Sequence, residues 1–106
     1  MRILVTGNNG YIGSVLTNEL IKKNYEIVGY DIGYFHDCNL INLENQKFKQ
    51  VNKDIRDIDI SDLEGIDAVI HLAGLANDPL GDLDPKLTEE INFQSTVNFA
   101  KICKHL

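Results

Sequence analysis

Three glycines spaced by three, Gly7, Gly10 and Gly13, separate the apolar run Ile3-Leu4-Val5 from a stretch in which Ile12, Val15, Leu16 and Leu20 recur at helical spacing. No other feature narrows the fold of this chain as much. A short continuous apolar run is the mark of a strand buried on both faces, so the glycines occupy a strand-to-helix turn. Each has a physical task there. Gly7 lets the chain reverse tightly at the strand end, Gly10 removes a side chain where a pyrophosphate would approach the backbone, and Gly13 lets the helix pack close to the sheet. The N–H groups at the helix start, about Tyr11 and Ile12, join the positive end of the helix dipole in facing an anion.

The remaining pattern alternates strands and helices. The first helix should end near Lys22-Lys23-Asn24, with cations in its last turn and Asn as a stop signal. Glu26 to Tyr30 reads as a second strand, closed by Asp31. Residues 32–46 read as a loop with a short helix around Leu40 to Glu44, and Phe48 to Asn52 as a third strand. Ser61 to Glu64 suggests one or two helical turns, and Asp67 to Leu72 a fourth strand. After a loop over 73–85, Asp84 is placed as an N-cap and Pro85 as the first helical residue of a helix running to about Lys104. That helix is apolar on two sides, with Leu87, Ile91 and Ile102 on one and Phe93, Val97 and Ala100 on the other; two apolar sides imply two partners. This order predicts one α/β domain, a Rossmann-type doubly wound parallel sheet with strand order 3-2-1-4.

A glycine triplet alone is weak. Asp31 strengthens it, because a carboxylate at the end of the second strand, about 20 residues past the glycines, can accept hydrogen bonds from an adenosine ribose. The chain carries 10 Lys and Arg against 16 Asp and Glu, a net charge of -6. That balance argues against nucleic acid as a partner, although local backbone donors can still hold an anionic cofactor. Cys38 and Cys103 stand in no metal-like spacing, and with no export signal they fit a reducing cytoplasm. The acids Asp54, Asp57, Asp59, Asp62, Glu64 and Asp67 lack calcium-loop spacing and read as a solvated surface. No apolar run is long enough for a membrane helix. His71 lies in an apolar strand pattern, where a packed or hydrogen-bonded imidazole is favoured over an acid/base role.

Taken together, Thr6-Gly7-x-x-Gly10-Tyr11-Ile12-Gly13-Ser14 resembles the N-terminus of the extended short-chain dehydrogenases/reductases, the NAD-dependent epimerase/dehydratase group. Three further segments resemble that family in order. Asp54-Ile55-Arg56-Asp57 matches the stretch whose Asp and following residue flank the adenine. Val69-Ile70-His71-Leu72-Ala73-Gly74 matches the fourth strand and its ending beside the nicotinamide ribose. Ile91-Asn92-x-x-Ser95-Thr96-x-Asn98 matches a helix whose Asn helps order the active centre. Ser95 and Lys53 depart from the family, which commonly has Gly at both positions, and Asn77-Asp78-Pro79 is similar to a variant of sugar-nucleotide members.

The resemblance implies NAD as cofactor, with Gly7, Asn9, Gly10, Tyr11, Ile12, Gly13, Asp31, Asp54, Ile55, Leu72, Ala73 and Gly74 around it and Asn92 in support. It also implies a nucleotide-sugar substrate and a homodimer through the 86–104 helix. The family's acid/base Tyr, followed four residues later by Lys, is not among Tyr11, Tyr25, Tyr30 and Tyr34. The expectation is therefore a cofactor-binding piece of a larger enzyme, itself catalytically incompetent and without the substrate domain. A non-enzymatic dinucleotide-binding regulatory module is the alternative. An adenosyl-dependent methyltransferase is a distant third, having no need for Gly10 to admit a pyrophosphate.

Overall fold

The computed structural model describes residues 1–33, 48–74 and 84–105. Strands β1 (Arg2–Thr6), β2 (Glu26–Tyr30), β3 (Lys49–Val51) and β4 (Ala68–His71) form one parallel sheet in the order β3-β2-β1-β4. This is the predicted α/β arrangement. β1 is central, with Leu4 level with Val28 on one side and with Val69 on the other. The chain leaves β1 for β2 in one direction and returns to β4 in the other, which opens a crevice at the C-terminal ends of β1 and β4.

Alternation along the strands builds two cores. Ile3, Val5 and Ile27 face helix α1 (Tyr11–Lys22), packing with its Leu20 and Ile21. Leu4, Val28 and Tyr30 face the opposite way, onto Ile55, Ile58, Leu63 and Phe99. Helix α1 ends where the sequence predicts it: Lys23 caps it and Asn24 takes a left-handed φ of 65°, a conformation that asparagine tolerates better than most residues.

β3 and β4 are shorter than the predicted Phe48–Asn52 and Asp67–Leu72, yet their edges stay tied to neighbouring strands. Lys53 N–H reaches the Asp31 carbonyl (3.2 Å), Asp67 N–H the Arg2 carbonyl (2.9 Å) and Leu72 N–H the Thr6 carbonyl (3.1 Å). Between β3 and β4 lie two short 3-10 turns, Ile55–Asp57 and Ile60–Leu63. Asp54 caps the first and Asp59 the second, where Asp62 completes a reciprocal capping box. The acids read as a solvated surface thus include the caps of these turns. The expected helix around 40–44, Cys38 and Asn77-Asp78-Pro79 lie outside the described residues.

The last helix begins as expected, with the Asp84 side chain accepting from Leu87 N–H and Pro85 at its start. It is not uniform. Helix α2 (Pro85–Glu89) widens into a π turn over Glu90–Gln94 before helix α3 (Ser95–Lys104). Two hydroxyls turn back onto carbonyls one turn earlier: Ser95 Oγ donates to the Ile91 carbonyl, and Thr96 Oγ1 to the Asn92 carbonyl at 3.0 Å. Such back-bonding competes with the helix ladder and loosens it locally. Ile91 and Ile102 pack on the core, while Phe93, Val97 and Ala100 are exposed. Phe99, the residue that anchors this helix, belongs to neither predicted side.

Candidate functional site

An open cleft with about 650 Å³ of space lies across the crevice, and the chain reaches it at three places. Gly7 and Gly10 form its floor. Tyr30, Asp31, Ile32, Lys53, Asp54 and Ile55 bound one end, and Leu72, Ala73, Gly74 and Ile91 the other.

The glycine turn owes its shape to contacts that a side chain would destroy. Gly7 has φ 71°, and a Cβ there would lie 2.8 Å from Ala73 N and from the Leu72 carbonyl carbon, so the β1 and β4 ends touch backbone to backbone. A Cβ on Gly13 would overlap the Gly7 carbonyl oxygen and come within 2.8 Å of Asn8 Cα. The close packing expected at Gly13 is therefore against the turn itself rather than against the body of the sheet. Gly10 differs: a Cβ there would meet the Gly7 carbonyl oxygen at 3.3 Å and nothing else within 4 Å. Its outer side is bare. No side chain caps the α1 N-terminus, leaving first-turn N–H groups that have no intrahelical partner. Tyr11 and Ile12 are 70% and 65% exposed, so what they offer the turn is backbone.

Asp31 sits where β2 meets the cleft. Its Oδ1 accepts from Gly33 N–H (2.7 Å) and its Oδ2 from Asn9 N–H (3.1 Å), so the carboxylate is held in place with lone pairs to spare. Beside it, Asp54 Oδ2 pairs with Arg56 Nη2 at 2.6 Å, and Arg56 Nη1 reaches Glu90 at 3.2 Å. The hydrogen-bonded Arg56 guanidinium holds the Asp54 carboxyl below its ordinary range. Lys53 Nζ is turned to Asp62 (2.9 Å) and Asp59 (3.7 Å). Burial, with the charges of Asp62, Asp57 and Asp59, pushes the Tyr30 phenol far up, so it stays protonated.

At the other end a hydrogen-bond chain links the glycine turn to the π turn. Thr6 Oγ1 accepts from Leu72 N–H (3.0 Å) and Ala73 N–H (3.2 Å), which occupies both its lone pairs. Its own proton must then go to His71 Nδ1, 2.7 Å away. His71 is thereby a neutral imidazole with the proton on Nε2, which donates to Thr96 Oγ1 at 3.0 Å. Phe99 packs edge-on against the ring, with centroids 5.2 Å apart. His71 is the packed, hydrogen-bonded histidine that its strand pattern predicts.

Burial depresses the His71 pKa. In the unfolded chain His titrates near pH ~6.5, so below that pH the unfolded state takes up a proton that the fold resists. Stability therefore falls as pH drops through the unfolded value, and the loss is complete below the lower folded one. Urea unfolding midpoints at pH 7.5 and 5.5 should show this fall, and His71→Asn should flatten it. Equal slopes in the two proteins would exclude His71 as its source. The depressed carboxyls of Asp54 and Asp59 act at lower pH and leave this window clear.

The profile of the family described as NAD dependent epimerase/dehydratase matches residues 3–106. This chain belongs to that family. Its cofactor is NAD. A UDP-glucose 4-epimerase of Mycolicibacterium smegmatis is 33% identical over 109 residues, covering 98% of this chain and 35% of the relative. The structure of a UDP-glucuronic acid 4-epimerase from Bacillus cereus, in complex with NAD, is 32% identical, with a TM-score of 0.74 over 100% of this chain and 37% of that one. An NAD-dependent NDP-hexosamine 5,6-dehydratase of tunicamycin biosynthesis superposes with a TM-score of 0.84 at 26% identity, covering 97% of this chain and 33% of that one. The chain spans about a third of the length of the curated relatives it matches.

Of the positions that the epimerase/dehydratase resemblance singles out, Gly7, Gly10, Asp31, Asp54, Ile55, Leu72, Ala73 and Gly74 share the cleft. Asn9, Tyr11, Ile12 and Gly13 belong to the same turn and helix start but do not line the cleft. Asn92 is close by: a Cβ on Gly74 would lie 3.0 Å from Asn92 Oδ1. Sequence reading missed Tyr30, Ile32, Lys53 and Ile91 as cleft residues. Tyr30 and Ile32 flank Asp31, and Lys53 precedes Asp54, so adjacency to a predicted site residue was the available signal. Among the described residues no cluster of His, Cys, Asp or Glu is arranged to hold a metal, and no helix is long and apolar enough to cross a membrane.

Proposed function

We propose that residues 1–106 are the NAD-holding portion of an enzyme that epimerises or dehydrates a nucleotide-linked sugar. The observation that carries this reading is the continuity of one cleft from Asp31 and Asp54, over the bare backbone of Gly7 and Gly10, to Ala73 and Gly74. Its ends and floor match the parts of an extended dinucleotide, and the uncapped α1 N-terminus fits the pyrophosphate between them. The names of the relatives, UDP-glucose 4-epimerase and UDP-glucuronic acid 4-epimerase among them, support a nucleotide sugar as substrate.

NAD supplies the hydride acceptor and donor. In this reading the chain's own groups bind and orient. First-turn N–H groups around Tyr11 and Ile12 take the pyrophosphate, Gly10 leaves it room, and Gly7 and Gly13 hold the turn shut behind it. Asp31, braced by the Asn9 N–H, accepts from the adenosine ribose. Asp54 and the Ile55 N–H address the adenine, Leu72–Gly74 lie along the nicotinamide ribose, and Asn92 supports the active centre. The exposed Phe93, Val97 and Ala100 form a homodimer face, and the protein works in the cytoplasm. No Tyr in the sequence has a Lys four residues on, so residues 1–106 alone turn over no sugar nucleotide.

Calorimetric titration tests the reading. The protein should bind NAD more tightly than NADP, because the Asp31 carboxylate repels a 2′-phosphate and its near neighbours Ile32 and Gly33 are not cations. Loss of a hydrogen bond from a charged group is worth about 1.5–3 kcal/mol, so Asp31→Ala should weaken NAD by at least about tenfold and narrow the gap to NADP. A wild-type protein that takes NADP at least as well as NAD contradicts the placement of Asp31.

A further inference from the structure

Asn8 is the most deeply buried polar side chain of the glycine turn, with no exposed surface, although it stands between two glycines at the edge of an open cleft. It reaches across the sheet. Its Nδ2 donates to Gln50 Oε1 at 2.7 Å, and Gln50 Nε2 donates back to Asn8 Oδ1 at 3.2 Å. Gln50 belongs to β3, and β2 lies between β3 and the turn. The pair can pass over β2 because the residue there is Gly29, level with Gln50 in the pairing register. A Cβ on Gly29 would overlap the Asn8 amide nitrogen and lie 2.6 Å from Gln50 Oε1 and 2.7 Å from Asn8 Cγ. A glycine inside a strand marks such a close approach.

We propose that the reciprocal Asn8–Gln50 amide pair, admitted by Gly29, is a positioning device that sets the glycine turn for the pyrophosphate of NAD. This rests on the NAD-binding reading above. Neither side chain lines the cleft, so the effect is indirect. Asn8 precedes the residue whose N–H braces Asp31 and the bare Gly10. Gly10 N–H bonds the Gly7 carbonyl (3.0 Å) and Gly7 N–H the Tyr30 carbonyl (2.8 Å), which ties the turn to itself and to β2. The amide pair adds a tie to β3, with Gln50 Nε2 also donating to the Val51 carbonyl at 3.3 Å. Removing Gln50 leaves the fully buried Asn8 amide without its partner, which is worse than having neither group. The orphaned amide then turns to find partners and carries residues 8–10 with it.

The test compares NAD and ADP, which carry a pyrophosphate, with adenosine, which does not, in the protein carrying this chain. Affinities come from calorimetry for the first two and NMR titration for the third. Gln50→Ala is expected to weaken NAD and ADP by about tenfold while adenosine changes by less than about twofold. The double variant Asn8→Ala/Gln50→Ala should be no weaker than the worse single variant, since the two act as a unit. Gln50→Met keeps the volume and decides the matter should Gln50→Ala not fold. Unchanged NAD and ADP binding overturns the proposal, as do equal losses for adenosine or additive losses in the double variant. Failure of the unmutated protein to bind NAD and ADP would instead remove the reading on which the proposal rests.

Discussion

Gly13→Ala is expected to cripple both fold and cofactor binding, whereas Gly10→Ala damages binding alone. The added Cβ at position 13 overlaps the Gly7 carbonyl oxygen and presses on Asn8 Cα at 2.8 Å. Both obstacles are backbone, held by the β1 end and by Asn8's buried amide, so neither can swing aside as a flexible side chain would. Overpacking of this kind costs about 3 kcal/mol, and in a domain of this size that lowers the melting temperature by about 15 °C. Gly10 sits in extended backbone, with φ -74° and ψ 179°, a conformation that alanine adopts freely. Its Cβ has one neighbour, the Gly7 carbonyl oxygen at 3.3 Å. Stability should therefore change by less than about 1 kcal/mol. On the proposed reading the new methyl would stand where the pyrophosphate lies, so NAD affinity should fall by about a hundredfold, the equivalent of about 2.7 kcal/mol. Thermal melts and calorimetry on the two variants check both halves. A Gly13→Ala protein that melts within a few degrees of the original, or a Gly10→Ala protein that binds NAD normally, contradicts the account of the turn.

Phe99→Ala is the second large effect. Phe99 is 3% exposed and is the last helix's deepest contact with the core of Leu4, Val28, Tyr30, Ile55, Ile58 and Leu63. Removing a buried phenyl ring costs about 3–5 kcal/mol, a large share of the ~5–15 kcal/mol that holds a domain together. The ring also packs edge-on against His71, so its loss frees the imidazole that bonds Thr96. Urea unfolding should show the full loss. Hydrogen exchange should show the amides of Ser95–Lys104 losing protection ahead of those in β1. Phe93→Ala serves as the comparison, because Phe93 is 63% exposed and the change should stay within about 0.5 kcal/mol. Similar small losses from both variants would mean that Phe99 is not the anchor.

Much of this was legible without coordinates because it is written locally. The run Ile3-Leu4-Val5 and the glycine spacing specify a strand, a turn and a helix within a dozen or so residues, and Asp31 follows from where the second strand stops. Lys23-Asn24 announces a helix end and Asp84-Pro85 a helix start. Such signals act through backbone geometry and near neighbours, so they survive without tertiary context. The π turn did not announce itself. Ser95 and Thr96 carry ordinary helical patterning, and their hydroxyls bond back to the carbonyls of Ile91 and Asn92 in a structure where His71 meets Thr96 from β4. Phe99 was passed over because helical periodicity finds apolar sides but does not say which residue points at the deepest part of a core.

The sequence by itself determined the four strands of the parallel sheet and their order, the family, and eight of the twelve residues around the cleft, Tyr30, Ile32, Lys53 and Ile91 being the exceptions. Only the tertiary structure decided that Gly13 is needed for its contact with the turn and that Lys53 is turned toward Asp62. It alone revealed that Thr6, His71 and Thr96 form a directed chain, and that Asn8 and Gln50 meet over Gly29. For the last two the physical reason is separation. A cap or a strand ending is settled by residues a turn away, whereas these contacts join residues up to 65 positions apart and exist after the sheet has brought its strands into register.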